Sequence, residues 1–184
     1  MISVLLSAAA LLTSAAPVDT TSLLAKAVTP TVLHTPTVGI KSTVTADSIV
    51  VEKAKRTLTL YLGGQPVRTY AIALGTQPVG DKVKIGDGRT PEGLFHIDFK
   101  NPQSKYHMAL HISYPDATHL HRAEELGVAP GGDIMIHGLP PRYASIGAGH
   151  VKYNWTEGCI AVTDSEIEEI FRAVPDGSPI QIKP

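Results

Sequence analysis

A single cysteine, Cys159, stands in 184 residues. No disulfide can close within the chain, so the thiol is either a small buried hydrophobe or a reactive group. Charge of one sign is also missing: 16 Lys and Arg nearly balance 17 Asp and Glu, for a net charge of -1. That removes the electrostatic case for a nucleic-acid partner, which needs a basic face. No apolar run reaches the ~20 residues a helix needs to cross a bilayer, so no membrane span is expected. Eight histidines are present, yet no His-Glu-x-x-His or comparable ligand set occurs, and neither a metal nor another cofactor is expected. No internal repeat is visible. Aromatic residues make up only 5% of the chain.

What the chain does have is turn chemistry: 16 glycines, 14 prolines and short β-branched runs between them. This composition predicts one mostly β domain with many turns. Residues 1–16 read as a secretory leader. Val4 to Leu12 form a short apolar core, followed by the small residues Ser14, Ala15 and Ala16, with a cut after Ala15 or Ala16. Residues 17–47 are rich in Thr, Val, Pro and Ala and read as a linker, since Pro30 and Pro36 interrupt any long helix. Export to the periplasm or cell envelope follows from the leader.

The domain is expected over 48–184. Ile49–Lys53 and Thr57–Leu62 are β-prone, and in the second Leu58, Leu60 and Leu62 alternate with polar positions. Gly63-Gly64 is a hairpin signal before a strand over Val67–Leu74. Gly75–Gly93 is turn-rich; it lacks the Lys-Ser/Thr of a phosphate loop. Further strands are expected at Leu94–Asp98, His107–Ser113, Ile134–His137, Gly158–Val162 and Pro179–Ile182. Asn101–Lys105 and Pro140–Asn154 read as loops, and Asp116–Leu126 as a short helix or an irregular excursion. Thr163 and Glu166 make a capping box. Ile167, Ile170, Phe171 and Val174 then give a helix one apolar face, ended by Pro175 and Gly177.

Two segments place a reactive side chain at the edge of a short apolar strand beside glycine: Ile134-Met135-Ile136-His137-Gly138 and Thr156-Glu157-Gly158-Cys159-Ile160. A thiol is mostly protonated at neutral pH, and an adjacent imidazole can take its proton and hold a thiolate as an ion pair. Spacing alone does not separate such a nucleophile from a packed cysteine.

These segments resemble the signature of the L,D-transpeptidase catalytic domain family of YkuD type, in which His-Gly is followed, after a variable loop, by Ser/Thr-x-Gly-Cys. Thr90-Pro91-Glu92-Gly93 resembles the family's Thr-Pro-x-Gly segment, and Leu58–Gly75 its opening hairpin. The resemblance spans about Ser48 to Lys183. It implies a YkuD-like β-sandwich with one or two helices, one directly after the Cys strand. It implies a peptidoglycan stem peptide as substrate, Cys159 as nucleophile and His137 as base. It further implies that a backbone carbonyl at Gly138 orients His137, and that the N–H groups of Gly158 and Cys159 are oxyanion donors. A thioester forms, and an amine or water then takes the acyl group.

Two positions depart from the family pattern. Glu157 stands where the family usually has His, and Ala161 where it usually has Arg or Asn. Glu157 is expected to raise the thiol pKa, with Arg142, His150 and Lys152 as offsetting cations. The departures resemble the branch that includes a periplasmic murein amidase, which brings in hydrolysis and a wall-linked lipoprotein as a partner. The expected substrate pocket comprises Arg142, Tyr143, His150, Lys152, Trp155, Thr156 and Glu157, with Tyr153 flanking it. A non-catalytic peptidoglycan-binding domain is the alternative of another class, and a metal peptidase built on His107, His111, His119 and His121 a third. In that last reading His119 and His121 share one strand face, although a surface role suits both better. Asp133 reads as a turn or cap residue.

Overall fold

The computed structural model describes residues 44–184. The expected leader, 1–16, and nearly all of the expected linker, 17–47, lie outside the described residues. Within the linker's last residues Ala46 is buried, and its N–H donates to Ala173 O at 3.0 Å.

Eight strands carry the domain: β1 (Ser48–Glu52), β2 (Thr57–Leu62), β3 (Gln65–Ala71), β4 (Gly93–Ser104), β5 (His107–Ile112), β6 (Met135–His137), β7 (Ile160–Ala161) and β8 (Pro179–Lys183). Their hydrogen-bonded order is β3-β2-β1-β8-β4-β5-β6-β7. The β1–β8 and β6–β7 pairs are parallel and the others antiparallel. Two α-helices, α1 (Ala117–Glu125) and α2 (Asp164–Ala173), and a 3-10 segment over Pro141–Lys152 complete it. The mostly β class holds, with a helix directly after the Cys strand.

The alternation in β2 does what it predicts at Leu58 and Leu60, both fully buried, while Leu62 at the strand end is exposed. Gly63 and Gly64 turn the chain with φ of 58° and 77°, the pair of positive values a tight hairpin needs. The capping box of α2 is complete: the Thr163 side chain accepts from Glu166 N–H, and Glu166 accepts from Thr163 N–H at 2.8 Å. Ile167 and Ile170 of α2 are fully buried against the sheet, each worth roughly 1.5–3 kcal/mol relative to exposure.

Three expectations are corrected. Asn101–Ser104 is strand, not loop, because β5 continues the ladder as far as Ser104–His107. Pro140–Asn154 is largely 3-10 helix rather than loop, with Gly147 (φ 49°, ψ -135°) as its one non-helical joint. His119 and His121 lie on α1, not on a strand. His119 is buried with its ring nitrogens on Asp116 at 2.5 Å and Asp81 at 3.2 Å, while His121 is exposed.

Candidate active site

The parallel pairing of β6 with β7 assembles the site. Ile136 is opposite Ile160 and His137 is opposite Ala161. Side chains alternate along a strand, so the buried Ile136 and Ile160 occupy the core face. His137 and Cys159, each one position removed from those isoleucines, share the other face and line one cavity. Two sequence segments 22 positions apart thereby deliver base and thiol to one side of the sheet.

His137 is held in one orientation. Its Nδ1 lies 2.7 Å from Gly138 O, and a carbonyl only accepts, so Nδ1 carries the proton and Nε2 is left as the free acceptor. Tyr106 stacks on the ring at 4.4 Å between centroids, and Trp155 meets it edge-on at 5.8 Å. The turn after His137 is anchored by Asp164, the first residue of α2, whose Oδ1 accepts from Leu139 N–H at 2.8 Å. A Cβ at Gly138 would meet that same oxygen at 2.7 Å, which is why glycine stands there.

Cys159 sits at the end of a turn tied by Thr156. Thr156 Oγ1 donates to Cys159 O at 2.7 Å and accepts from Gly158 N–H at 3.2 Å. This corrects the oxyanion assignment for Gly158, whose N–H is already engaged; Cys159 N–H is the donor left without a partner among the described residues. Gly158 has φ of 130°, and a Cβ there would fall 2.6 Å from Arg89 O. The loop from Gly75 to Glu92 thus backs the nucleophile turn. It is fixed in turn by Lys53, whose Nζ donates to Gly80 O (2.6 Å), Thr90 O (2.9 Å) and Glu92 (2.9 Å).

The electrostatics revise the expected ion pair. Burial lowers His137 to about 4, against the partial support of Gly138 O. Burial raises the Cys159 thiol, with the Met135 N–H opposing and Asp133 adding to the rise. At neutral pH both groups are neutral. The thiol instead donates to Asp133 O at 3.5 Å. Asp133 is a turn residue, with φ of 52°. Lys82 and Lys105 oppose the thiol's rise.

A cavity of about 590 Å³ opens over this face. Cys159, His137, Arg142, Tyr143, His150, Tyr153, Trp155, Thr156 and Glu157 all line it. Lys152, which is exposed, does not. Tyr106, Leu139, Pro140 and Ile146 line it too and carry no local sequence signal beyond an aromatic at the β4–β5 turn. His150 is buried with both ring nitrogens unpartnered among the described residues, as is Trp155 Nε1. Burial lowers the His150 pKa, Glu166 opposing and Arg56 adding to it. His107 and His111 pair instead with Glu168 at 2.9 Å and Asp98 at 2.7 Å, and among the described residues no three His, Cys, Asp or Glu side chains gather as a metal set. No described helix is long and apolar enough to cross a membrane. A thiol, an acceptor nitrogen and a free backbone donor around one cavity are the parts of acyl transfer through a covalent intermediate.

The model of the L,D-transpeptidase catalytic domain family, YkuD, matches residues 46–182. Among solved structures, the chain is similar to Pgp2 of Campylobacter jejuni, a helical cell shape determining protein, at 26% identity and a TM-score of 0.56, over 73% of this chain and 46% of that one. It is also similar in fold to Bd1075 of Bdellovibrio bacteriovorus, at 22% identity and a TM-score of 0.54, over 76% of this chain and 48% of that one. The chain spans about half the length of these structures. No curated protein matches it.

Proposed function

The chain belongs to the L,D-transpeptidase catalytic domain family of YkuD type, and from that premise we propose that it is an exported cysteine enzyme remodelling the cell wall at peptidoglycan stem peptides. The observation that carries this reading is Nε2 of His137, left as a free acceptor by the bond from Nδ1 to the Gly138 carbonyl, on the cavity that Cys159 also lines.

In the proposed reaction Cys159 Sγ attacks the carbonyl of an L-centre residue joined to a D-centre residue. His137 Nε2 takes the thiol proton as the C–S bond forms. Because both groups start neutral, the proton moves with the attack rather than before it. The oxyanion is held by Cys159 N–H. His137 returns its proton to the leaving amine, the C–N bond breaks, and a thioester remains. An amine acceptor then makes the transpeptidase product, and water makes the hydrolase product.

Hydrolysis, including release of a wall-linked lipoprotein, is the second reading, and Ala161 favours it. Its side chain is fully buried, with backbone bonds to Ala73 in both directions at 2.9 Å. The strand therefore offers no side chain to hold an acceptor where the family usually has Arg or Asn.

Two experiments test the proposal. A carbapenem should add one adduct, located by mass spectrometry on Cys159 and lost in Cys159→Ala. Incubation with purified sacculi should yield newly joined muropeptides, or released ones if water is the acceptor. Neither adduct nor product leaves the non-catalytic binding domain as the better account.

A further inference from the structure

One histidine does not account for all the protons of acyl transfer to an amine. His137 takes the thiol proton and returns it to the leaving amine, so it is neutral again once the thioester stands. An amine acceptor arrives at neutral pH as an ammonium, with three N–H bonds where the product amide keeps one. Two protons must leave. One passes through His137 to Sγ, and the other needs a second base.

His111 is placed to be that base. On β5 it is paired with Met135 of β6. The parallel register of β6 with β7, Ile136 opposite Ile160, brings Met135 beside Cys159 one residue back. Leu110, Ile136 and Ile160 of this ladder are fully buried on the core face, so His111, Met135 and Cys159 form one row on the other. Two strand spacings, about 10 Å, separate the backbones of His111 and Cys159. Asp133 spans that gap. Its carbonyl oxygen accepts from the Cys159 thiol at 3.5 Å, and its carboxylate is 3.9 Å from His111 Nε2. His137 lines the cavity, whereas His111 stands outside its lining.

The His111 ring is fixed much as that of His137 is. Nδ1 lies 2.7 Å from Asp98 Oδ1. An ionised carboxylate only accepts, so Nδ1 carries the proton and Nε2 is the acceptor. Phe99, paired with His111 across β4 and β5, stacks on the ring at 4.5 Å between centroids and holds its plane. Nε2 makes no hydrogen bond among the described residues: Asp133 Oδ1 is beyond bonding distance, on a side chain that is 93% exposed. The difference lies at Nδ1, which meets a neutral carbonyl in His137 and a carboxylate in His111. A carboxylate there stabilises the imidazolium that forms when Nε2 takes a proton.

We infer that His111, oriented by Asp98, is a second catalytic base, which takes the first proton from an ammonium acceptor arriving at the thioester. This rests on the proposed acyl transfer through Cys159. His111 Nε2 accepts the proton, directly or through one water, as an N–H bond of the ammonium breaks. The freed lone pair forms the C–N bond at the thioester carbon. His137 Nε2 takes the second proton and passes it to Sγ as the C–S bond breaks. His111 then releases its proton to solvent.

Two acceptors separate this role from a structural one. Native enzyme and His111→Gln are mixed with a tetrapeptide stem, and mass spectrometry of quenched samples follows the acyl-enzyme on Cys159. The acyl-enzyme is then offered either a stem peptide with a free side-chain ammonium or hydroxylamine, which is unprotonated at neutral pH and needs no first base. His111→Gln should form the acyl-enzyme at the native rate and pass it to hydroxylamine at the native rate. Transfer to the ammonium should slow about a hundredfold, the scale of a lost general base. Asp98→Asn should show the same split to a smaller extent. Equal slowing with both acceptors, or no slowing with either, overturns the inference alone, as does an acyl-enzyme that only water consumes. No acyl-enzyme in the native protein overturns the proposed function and this inference with it.

Discussion

Thr156 Oγ1 donates to the carbonyl oxygen of Cys159 at 2.7 Å, closing a turn around the nucleophile with a side chain three residues upstream. The same oxygen accepts from Gly158 N–H at 3.2 Å. One hydroxyl therefore holds the two peptide planes on either side of the Gly158–Cys159 peptide, the plane that carries the Cys159 N–H.

Thr156→Val keeps the shape and removes both bonds. It leaves the Cys159 carbonyl and the Gly158 N–H without their partner in a buried turn, at a cost of about 1–2 kcal/mol in stability. Displacing the thiol from its attack geometry should lower the rate of acylation by about tenfold or more. Thr156→Ser restores the hydroxyl and should recover most of that rate. Acylation by a carbapenem, followed in a stopped-flow instrument, reads the rate, and thermal unfolding reads the stability. A Thr156→Val enzyme that acylates at the native rate would show that the turn holds without the hydroxyl.

Gly158 owes its identity to a neighbour far away in sequence. A Cβ at this position would come within 2.6 Å of Arg89 O, a backbone atom that cannot step aside like the end of a side chain, and φ is 130°. Gly158→Ala should destabilise the domain by about 2–4 kcal/mol, from strain plus overpacking. Gly64→Ala provides the contrast: its φ is also positive, at 77°, but nothing lies within 4 Å of the added methyl. Its cost is confined to the backbone preference, about 1–2 kcal/mol. Urea titration of both variants should rank them in that order; equal losses would remove the role of the Arg89 contact.

Local patterns were the legible part of this fold. The β2 strand over Thr57–Leu62, the Gly63-Gly64 turn and the Thr163/Glu166 capping box each involve residues that sit side by side or one helical turn apart. His137, Gly138 and Cys159 were legible through motif resemblance, not through periodicity. The illegible features depend on distant partners. His119 is buried by Asp81, 38 positions earlier, and nothing near Leu120 announces it. Asn101–Ser104 looks like a loop because its residues are polar, yet strand pairing needs backbone groups and a partner in register, which β5 supplies. Tyr106 stacks on His137 across 31 positions. Asp164 reads as an ordinary acidic residue in the first turn of a helix, and its hold on the His137–Leu139 turn follows only from where α2 docks.

The pH dependence of the thiol separates a pre-formed ion pair from a neutral pair. Burial raises the Cys159 pKa and lowers that of His137 to about 4. Between those values the thiol keeps its proton and His137 Nε2 is unprotonated. Iodoacetamide, which reacts with thiolate, should therefore alkylate Cys159 slowly at neutral pH. Its rate should climb about tenfold per pH unit toward the raised thiol pKa, with no plateau in the acid range. Acylation by a carbapenem should behave differently, because His137 removes the proton during attack. It should hold nearly constant from about pH 5.5 to 8 and fall only as the medium nears the lowered His137 pKa, where protonation takes away the acceptor. His137→Gln should lose the carbapenem reaction while leaving the alkylation profile close to native, since the neutral imidazole contributes no charge to the resting thiol. A flat alkylation rate between about pH 5 and 7 that His137→Gln abolishes would instead establish a thiolate-imidazolium pair in the resting site.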